Sequence, residues 1–338
     1  MALRFLDSFD HYATADIAKK WDTVAGTQNI SLSHGRWGTF GARIFSNGVT
    51  LTKNLDSQQT WIIGGAIVLP AINTAGVIFG VMDTGSFQCE LRTDGAGRLL
   101  ITRNGTTILG PGTTFLIAGV SYYLEFKVTI ANSPNGVAEA KIDGVTEISS
   151  STLDTQNTAN ATANQIRLGP GAGGGFDYYL DDFYVCDGTG GVNDDFLGDT
   201  RVQTIFPDAN GNSSQLVGSD GNSTDNYLLV DETTPNTADY VESSTVGDKD
   251  TYNYGSLTPT TGAVYGVQIL PYAAKTDAGV RSIQAIARHS ATEEDTGADM
   301  VLSTTVRYFM DVRDTKPGGG SWSISDVNAA EFGVKVTA

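Results

Sequence analysis

Alternation of apolar and polar residues is clearest between Tyr122 and Ile130. Apolar side chains occupy every second position of this segment, and Glu125 and Lys127 lie among the polar positions between them. Successive side chains of a β-strand point to opposite faces, so alternation with a period of two residues predicts a β-strand with one buried face. The polar residues 132–136 then predict a turn, and residues 137–143 predict a returning strand.

Other short apolar runs repeat this arrangement along the whole chain, and Asp94-Gly95 and Asn104-Gly105 provide turn signals between them. Closely spaced short strands with frequent turns are typical of antiparallel β-sandwiches. Helix is expected only in a short segment, 14–20, and irregular loops are expected at 149–164 and 207–237. The further predicted strands are 60–69, 76–82, 87–92, 98–103, 165–169, 176–186, 201–206, 263–270, 282–288, 303–310 and 332–336.

Composition supports an all-β chain of two domains. The 338 residues include 40 glycines, and long runs rich in Ala, Leu, Glu and Lys are missing. Residues 188–193 are small and lack charge, as an interdomain linker would. We therefore expect a first β-sandwich at 1–187, the linker at 188–193, and a second β-sandwich at 194–338.

The acidic composition argues against two classes of partner. Asp and Glu number 38 against 21 Lys and Arg, which gives a formal net charge of −17. Nucleic acids and anionic membrane surfaces both select clusters of Lys and Arg, and no such cluster is present. No signal peptide precedes Asp7, and no apolar run could span a membrane, so synthesis in a cytoplasm is expected.

The chain contains Cys89 and Cys186 as its only cysteines. Each lies in a predicted strand, and their spacing matches neither a disulfide framework nor a zinc site. Buried free thiols are the favoured interpretation, although pairing of the two is left open.

Three segments of the first half resemble the concanavalin A-like (laminin-G-like) jelly roll of lectins. They are the strand Tyr122–Val128, the hairpin Val137–Val145 with its Asp-Gly turn, and the closing strand Tyr179–Val185 with paired aspartates. The resemblance implies a concanavalin A-like jelly-roll sandwich over 1–187.

Segments in both halves of the chain are similar to structural proteins of tailed bacteriophages. These are Phe5–Tyr12, Asp194–Pro207 and Trp322–Val336, the last two resembling a tail- or fibre-associated β module. The resemblance implies a non-enzymatic virion structural protein, located in the virion and associated with the tail or fibre, with adhesion to host surface polysaccharide. Its partners would be other virion proteins and copies of itself in a symmetric homo-oligomer. The alternatives are a capsid decoration protein and, less favoured, a glycan-active hydrolase.

A search for catalytic residues identifies none. A retaining glycosidase needs two carboxylates about 5–5.5 Å apart, and alternate residues of one strand could supply them, but no Glu-x-Asp-x-Glu run occurs. Glu293, Glu294 and Asp295 are consecutive and are predicted to form an exposed turn. His11, His34 and His289 lack a nucleophile at a recognisable spacing, so we predict that the chain is not an enzyme.

Metal binding has weak candidates. Asp182 could face a site, but a strand would place Asp181 on the opposite face. The alternating oxygen ligands of Asp208, Asn210 and Asn212 suit calcium, the one cofactor considered. An ordinary Asx-rich turn is favoured there, because no acidic residue closes the loop.

Glycan binding requires an exposed aromatic ring beside amide or carboxylate groups. Trp21, Trp37 and Trp61 are the candidates, although a tryptophan in a small sandwich is more often part of its core.

Overall fold

The structure is a computed structural model, and it describes residues 2–26, 29–45, 48–169 and 175–338. The chain is all-β and forms two compact units, Met1–Val202 and Gln203–Ala338. Its longest described helix has five residues, and none of the described helices has the length and apolar character needed to cross a membrane.

The first unit is a jelly-roll β-sandwich. Its strands are β1 (Leu3–Asp7), β2 (Thr23–Ala25), β3 (Asn29–Ser31), β4 (Gly41–Ile44), β5 (Thr50–Gln58), β6 (Thr60–Val68), β7 (Gly76–Asp83), β8 (Ser86–Thr93), β9 (Leu99–Arg103), β10 (Thr106–Leu109), β11 (Ser121–Thr129), β12 (Gly136–Ile142), β13 (Val145–Leu153), β14 (Ala163–Leu168) and β15 (Tyr178–Asp187). The short helix predicted at 14–20 forms as a 3-10 turn, Thr14–Asp16, followed by α1 (Ile17–Lys20).

These strands make two antiparallel sheets. Sheet A has the order β13-β12-β11-β6-β15-β4-β3, with β1 also paired to β15. Sheet B has the order β10-β9-β8-β7-β14-β5-β2. Because β6 and β15 lie near the middle of sheet A, and β7 and β14 near the middle of sheet B, these strands are the most deeply buried.

The sandwich core follows from strand alternation. On β11, Leu124, Phe126 and Val128 are fully buried between the sheets, as their spacing predicts. Trp21 packs near the rings of Phe5 and Phe183, with ring centroids 5.1 and 5.9 Å away. Both cysteines are buried free thiols, which confirms the favoured interpretation.

The second unit is built on one larger sheet and three two-stranded ladders. Its strands are β16 (Pro207–Ser214), β17 (Val217–Gly218), β18 (Val241–Glu242), β19 (Lys249–Tyr254), β20 (Val267–Ile269), β21 (Tyr272–Ala273), β22 (Ser282–His289), β23 (Thr292–Asp295), β24 (Met300–Val301), β25 (Arg307–Tyr308), β26 (Asp311–Arg313) and β27 (Glu331–Val336). The larger sheet has the order β16-β19-β27-β22-β23, with β24 also paired to β22.

A compact apolar cluster holds this second sheet against α2 (Ile324–Asn328). Trp322 and Phe332 lie at its centre, with ring centroids 6.0 Å apart. The helix begins at Ser323, which forms a capping box with Asp326 and so satisfies backbone N–H groups at the helix start.

Several predicted elements are wrong. Residues 201–206 form no strand, whereas the adjacent 207–214, predicted as irregular, form β16. Residues 149–153, also predicted as loop, belong to β13. Glu293–Asp295 lie in the exposed edge strand β23 and not in a turn. In β16 and β13 polar side chains occupy most positions, so the apolar alternation that marks a strand is missing.

The first unit ends later in the chain than the predicted linker at 188–193. Residues 195–202, here called the covering segment, bond to sheet A: Gly198 N–H donates to Glu125 at 2.8 Å, and Val202 N–H donates to Asp182 at 2.8 Å. These bonds explain why the unit extends to Val202.

Candidate functional site

An exposed tryptophan distinguishes the loop between β3 and β4. This loop, residues 32–40, is here called the Trp37 loop. Trp37 is 64% exposed, whereas Trp21 and Trp61 are 1% and 0% exposed. The Nε1–H groups of the two buried rings donate to Asp7 and to the carbonyl of Ala163, so both rings serve the core. Of the three glycan-binding candidates, the structure leaves Trp37 available to a ligand.

Backbone hydrogen bonds hold the Trp37 loop in one conformation. The N–H of Arg36 donates to Asp181 at 2.7 Å, and the N–H of Phe40 donates to Asp10 at 2.8 Å. A side chain at Gly35 or Gly41 is excluded, since even a Cβ would lie 2.2 or 2.5 Å from a backbone oxygen. These bonds and close approaches make the loop preformed.

Trp37 itself has a φ of +58°, in the left-handed region that bulky residues rarely adopt. Such a conformation costs free energy and persists where the surrounding contacts impose it. Here the imposing contacts are those of Arg36 and Thr39 on either side of Trp37. The strain therefore keeps a large apolar ring directed into solvent.

Two guanidinium groups lie near the ring of Trp37. The guanidinium carbon of Arg36 is 4.9 Å from the ring centroid of Trp37, and that of Arg201 is 5.9 Å away. Arg36 is bound by Asp199 at 2.8 and 3.2 Å and lies 3.3 Å from Asp182. Among the described residues no carboxylate lies within ion-pair distance of Arg201. We call Trp37, Arg36 and Arg201 the Trp37 platform.

The two aspartates beneath the platform do not obey simple strand alternation. Between Asp181 and Tyr184 the register of β15 against β6 shifts, and Asp182 has a φ of +52°. This irregularity turns both carboxylates towards Arg36: Asp181 accepts its backbone N–H and Asp182 pairs with its side chain. The prediction that Asp181 and Asp182 face opposite ways is therefore wrong.

Burial shifts the acid–base behaviour of this cluster. Desolvation raises the pKa of Asp181, and the neighbouring charge of Asp182 raises it further. Desolvation also raises the pKa of Asp182, although the bond from Val202 and the charge of Arg36 oppose the shift. The pKa of Asp10 rises to about 6, mainly through burial. A cluster of carboxyl groups that are costly to ionise thus supports the loop.

A second polar network lies beside it on the outer face of sheet A. The hydroxyl of Tyr184 donates to Glu125 at 2.6 Å, and the hydroxyls of Tyr123 and Thr200 are 2.6 Å apart. Burial raises the pKa of Tyr123 and of Tyr184 well above the usual range, so both phenols stay protonated. These groups, which could transfer protons, are covered by residues 198–200 and anchor that segment.

The calcium candidates lie on β16 in the second unit, where the two asparagines form internal hydrogen bonds. The amide of Asn210 donates to the carbonyl of Thr224 and accepts from Tyr227 N–H, and Asn212 bonds to Glu331. Asp208 is exposed. Within the described residues, no group of three His, Cys, Asp or Glu side chains has an arrangement that could hold a metal ion. Asp182 is instead paired with Arg36.

Sequence reasoning missed Arg36, Arg201 and Asp199. A usable signal was present, since Trp37 lies in the run His34-Gly-Arg-Trp-Gly38. Flanking glycines predict a loop, and a tryptophan in a loop is less often part of a core. The involvement of Arg201 and Asp199 depends on the path of the covering segment, which no local pattern specifies.

Comparisons with known proteins find structural likeness only. No family model and no curated protein matches the chain. An endo-β-1,4-glucuronan lyase from the fungus Trichoderma reesei is 13% identical with a TM-score of 0.43, over 54% of this chain and 95% of the lyase. The alginate lyase Aly36B is 15% identical with a TM-score of 0.40, over 54% and 95%. A Trypanosoma rangeli sialidase is 10% identical with a TM-score of 0.34, over 43% and 25%.

The predicted function, a non-enzymatic structural protein of a phage particle, is corrected by these matches. The solved structures named above are glycan-active enzymes: a glucuronan lyase, an alginate lyase and a sialidase. At identities of 10–15% no activity transfers from them to this chain. Function must therefore be inferred from this chain's own residues.

Proposed function

We propose that the first unit binds carbohydrate on the Trp37 platform. The observation that carries this proposal is the 64% exposure of Trp37 on a loop that carboxylates hold in place. An exposed aromatic face stacks on the apolar face of a sugar ring, and polar groups at its rim bond to the hydroxyls. Arg201 and Asp199 supply such a donor and acceptor beside the ring.

The Trp37 loop is ordered before a ligand binds, which favours binding of a ligand that forms weak contacts. A loop that is already ordered pays little conformational entropy when the ligand arrives. The hydrogen bonds to Asp10 and Asp181 and the ion pair to Asp199 fix both ends of the loop before binding. The platform therefore needs no rearrangement to present its ring.

The local charge favours a neutral or weakly charged saccharide. Arg36 is neutralised by Asp199 and Asp182, and the whole chain carries a formal charge of −17. The platform therefore lacks the cluster of unpaired cations that a highly charged anionic ligand would select. Arg201 remains to donate hydrogen bonds to hydroxyl oxygens.

Isothermal titration of Trp37→Ala against wild type tests this proposal, with neutral oligosaccharides of glucose, galactose, mannose and N-acetylglucosamine as probes. We expect at least one probe to bind wild type and to lose tenfold or more in affinity in the variant, because the stacking surface is gone. Phe115→Ala is the matched control: Phe115 is also exposed, at 59%, and also lies beside a guanidinium, that of Arg98. Equal affinity in all three proteins would refute the platform.

The same samples can be assayed for new reducing ends after prolonged incubation with each probe. Such ends would show that bound saccharide is cleaved. In that case Tyr184→Phe, which alters a group covered by the covering segment, would show whether the covered network takes part.

A further inference from the structure

Arg167 lies on the outer face of sheet B, and its guanidinium has no hydrogen-bond or ion-pair partner among the described residues. Its neighbours Ile166 and Leu168 are fully buried in the core, so Arg167 points away from it. Its Nε is buried, and no described residue accepts a hydrogen bond from its guanidinium or forms an ion pair with it. A half-buried guanidinium without an anion is costly, because its lost hydration is not replaced.

The space beside Arg167 is shaped by a glycine. Arg167 pairs with Gly80 on β7, and Gly80 pairs with Glu90 on β8. A Cβ on Gly80 would lie 2.4 Å from the ring of Phe87, which leans across this position. The guanidinium carbon of Arg167 is 5.1 Å from the Phe87 ring centroid. Phe87 thus holds the guanidinium in place and presents an apolar surface between two charged side chains.

Glu90 continues the row on β8, and Arg92 lies two residues further along the same strand. One carboxylate oxygen of Glu90 accepts bonds from Thr102 and from Gly105 N–H, while the other lies 3.8 Å from Arg92. That second oxygen makes no hydrogen bond to a described residue. This face of the sheet therefore carries a half-buried planar cation, an apolar ring and, on the 2% exposed Glu90, a carboxylate oxygen whose described partner is Arg92.

We propose that Arg167, Phe87 and Glu90 form a second binding site, specific for the carboxylate of an acidic saccharide. A guanidinium fits a carboxylate through paired N–H donors. Glu90 repels any anion at this site, including the saccharide carboxylate, but it accepts hydrogen bonds from sugar hydroxyls, which an inorganic oxyanion such as sulfate cannot donate. These three residues belong to sheet B, whereas the Trp37 loop connects two strands of sheet A. The site rests on the proposed carbohydrate binding and extends it from neutral to acidic saccharides.

The burial of Arg167 also affects its pKa. Desolvation lowers the pKa of this arginine, and the charge of Glu90 opposes the shift only in part. A bound carboxylate would remove this penalty, so ligand binding should stabilise the unit.

The test is titration of the full chain with a glucuronate tetrasaccharide, a glucose tetrasaccharide and sodium sulfate. We expect the glucuronate probe to bind wild type and to lose at least tenfold in affinity in Arg167→Gln, with an intermediate loss in Arg167→Lys. Arg43→Gln is the control, since it removes an equal charge that is already paired with Asp177. Unchanged glucuronate affinity in Arg167→Gln, or sulfate binding as tight as that of glucuronate, would overturn the proposal.

Two further readouts separate this site from the Trp37 platform and from misfolding. Trp37→Ala should leave glucuronate binding at Arg167 intact, whereas Arg167→Gln should leave neutral saccharide binding intact. Without ligand, Arg167→Gln should unfold close to the wild-type temperature, because the substitution removes the contact with Phe87 but no hydrogen bond or ion pair to a described residue. A much lower unfolding temperature would mean that Arg167 has a strong structural partner and would also overturn the proposal.

Discussion

The guanidinium of Arg36 stacks on the ring of Trp37, with its carbon 4.9 Å from the ring centroid, while two of its nitrogens bind Asp199. The exposed ring is therefore linked, through one side chain, to the covering segment and to the buried Asp182. Because of these contacts, the Trp37 loop presents the ring in a fixed position.

Replacement of Arg36 by Met should destabilise the first unit by about 2–4 kcal/mol, because Asp182 would remain buried without its cation. The free energy of unfolding, measured by urea denaturation, checks this. Arg43→Met, which removes a more exposed ion pair with Asp177, should cost less than about 1 kcal/mol. Equal effects of the two substitutions would contradict the role given to Arg36.

Asp10→Asn should make the protein more stable at neutral pH. Burial raises the pKa of Asp10 from 3.8 to about 6, so the wild type gains stability from this residue below pH 3.8 and loses it as the pH rises through 6. Asparagine keeps an oxygen to accept the Phe40 N–H and does not titrate. Because partial exposure screens the charge, we expect a gain of roughly 1–2 kcal/mol at pH 7.5.

Urea denaturation at pH 4 and pH 7.5 measures that difference. Glu147→Gln is a contrasting variant, since hydrogen bonds from Thr113 and Thr114 lower the pKa of Glu147. Its stabilising effect in wild type is present above the unfolded pKa and lost as the pH falls. A gain in Asp10→Asn that is as large at pH 4 as at pH 7.5 would show that the effect is not electrostatic.

Tyr184→Phe should destabilise the first unit by about 1–3 kcal/mol. The substitution removes the 2.6 Å bond to Glu125, whose other carboxylate oxygen already lacks a hydrogen-bond partner. Tyr179→Phe, at a half-buried position on the same strand, is expected to change stability little. If limited proteolysis cuts residues 195–202 no faster in Tyr184→Phe than in wild type, the covering segment is not anchored by this bond.

Gly333→Ala tests the packing of the second unit. A Cβ at this position would lie 1.9 Å from the backbone oxygen of Asp250, and a backbone atom cannot move aside cheaply. We expect a loss of about 3 kcal/mol in unfolding free energy. Gly255→Ala, where nothing lies within 4 Å, should be close to neutral.

The sequence predicts elements well where burial imposes alternation, as on β11, where Leu124, Phe126 and Val128 mark the inner face. The prediction fails on β16, because Asn210 and Asn212 form hydrogen bonds within the fold and apolar residues do not alternate along this strand. It also fails at Asp181 and Asp182, because a local shift in register overrides strand geometry.

The residues of the candidate site could be predicted only in part, because burial and long-range contacts decide which of them meet. Trp37 can be nominated from its residue type, but Trp21 and Trp61 look equally suitable until their burial is known. Arg201 and Asp199 reach the site from a segment more than a hundred residues away in the chain. Long-range chain paths of this kind leave no local trace in one sequence.

Acrylamide quenching of tryptophan fluorescence tests carbohydrate binding at Trp37 most directly. The chain has four tryptophans, and Trp21, Trp61 and Trp322 are at most 3% exposed, so the quenchable emission comes from Trp37. We predict that a neutral oligosaccharide which binds wild type protects this emission from acrylamide in proportion to occupancy. Full quenching of Trp37 with the oligosaccharide bound, or no binding by any of the four neutral probes at millimolar concentration, would contradict the account.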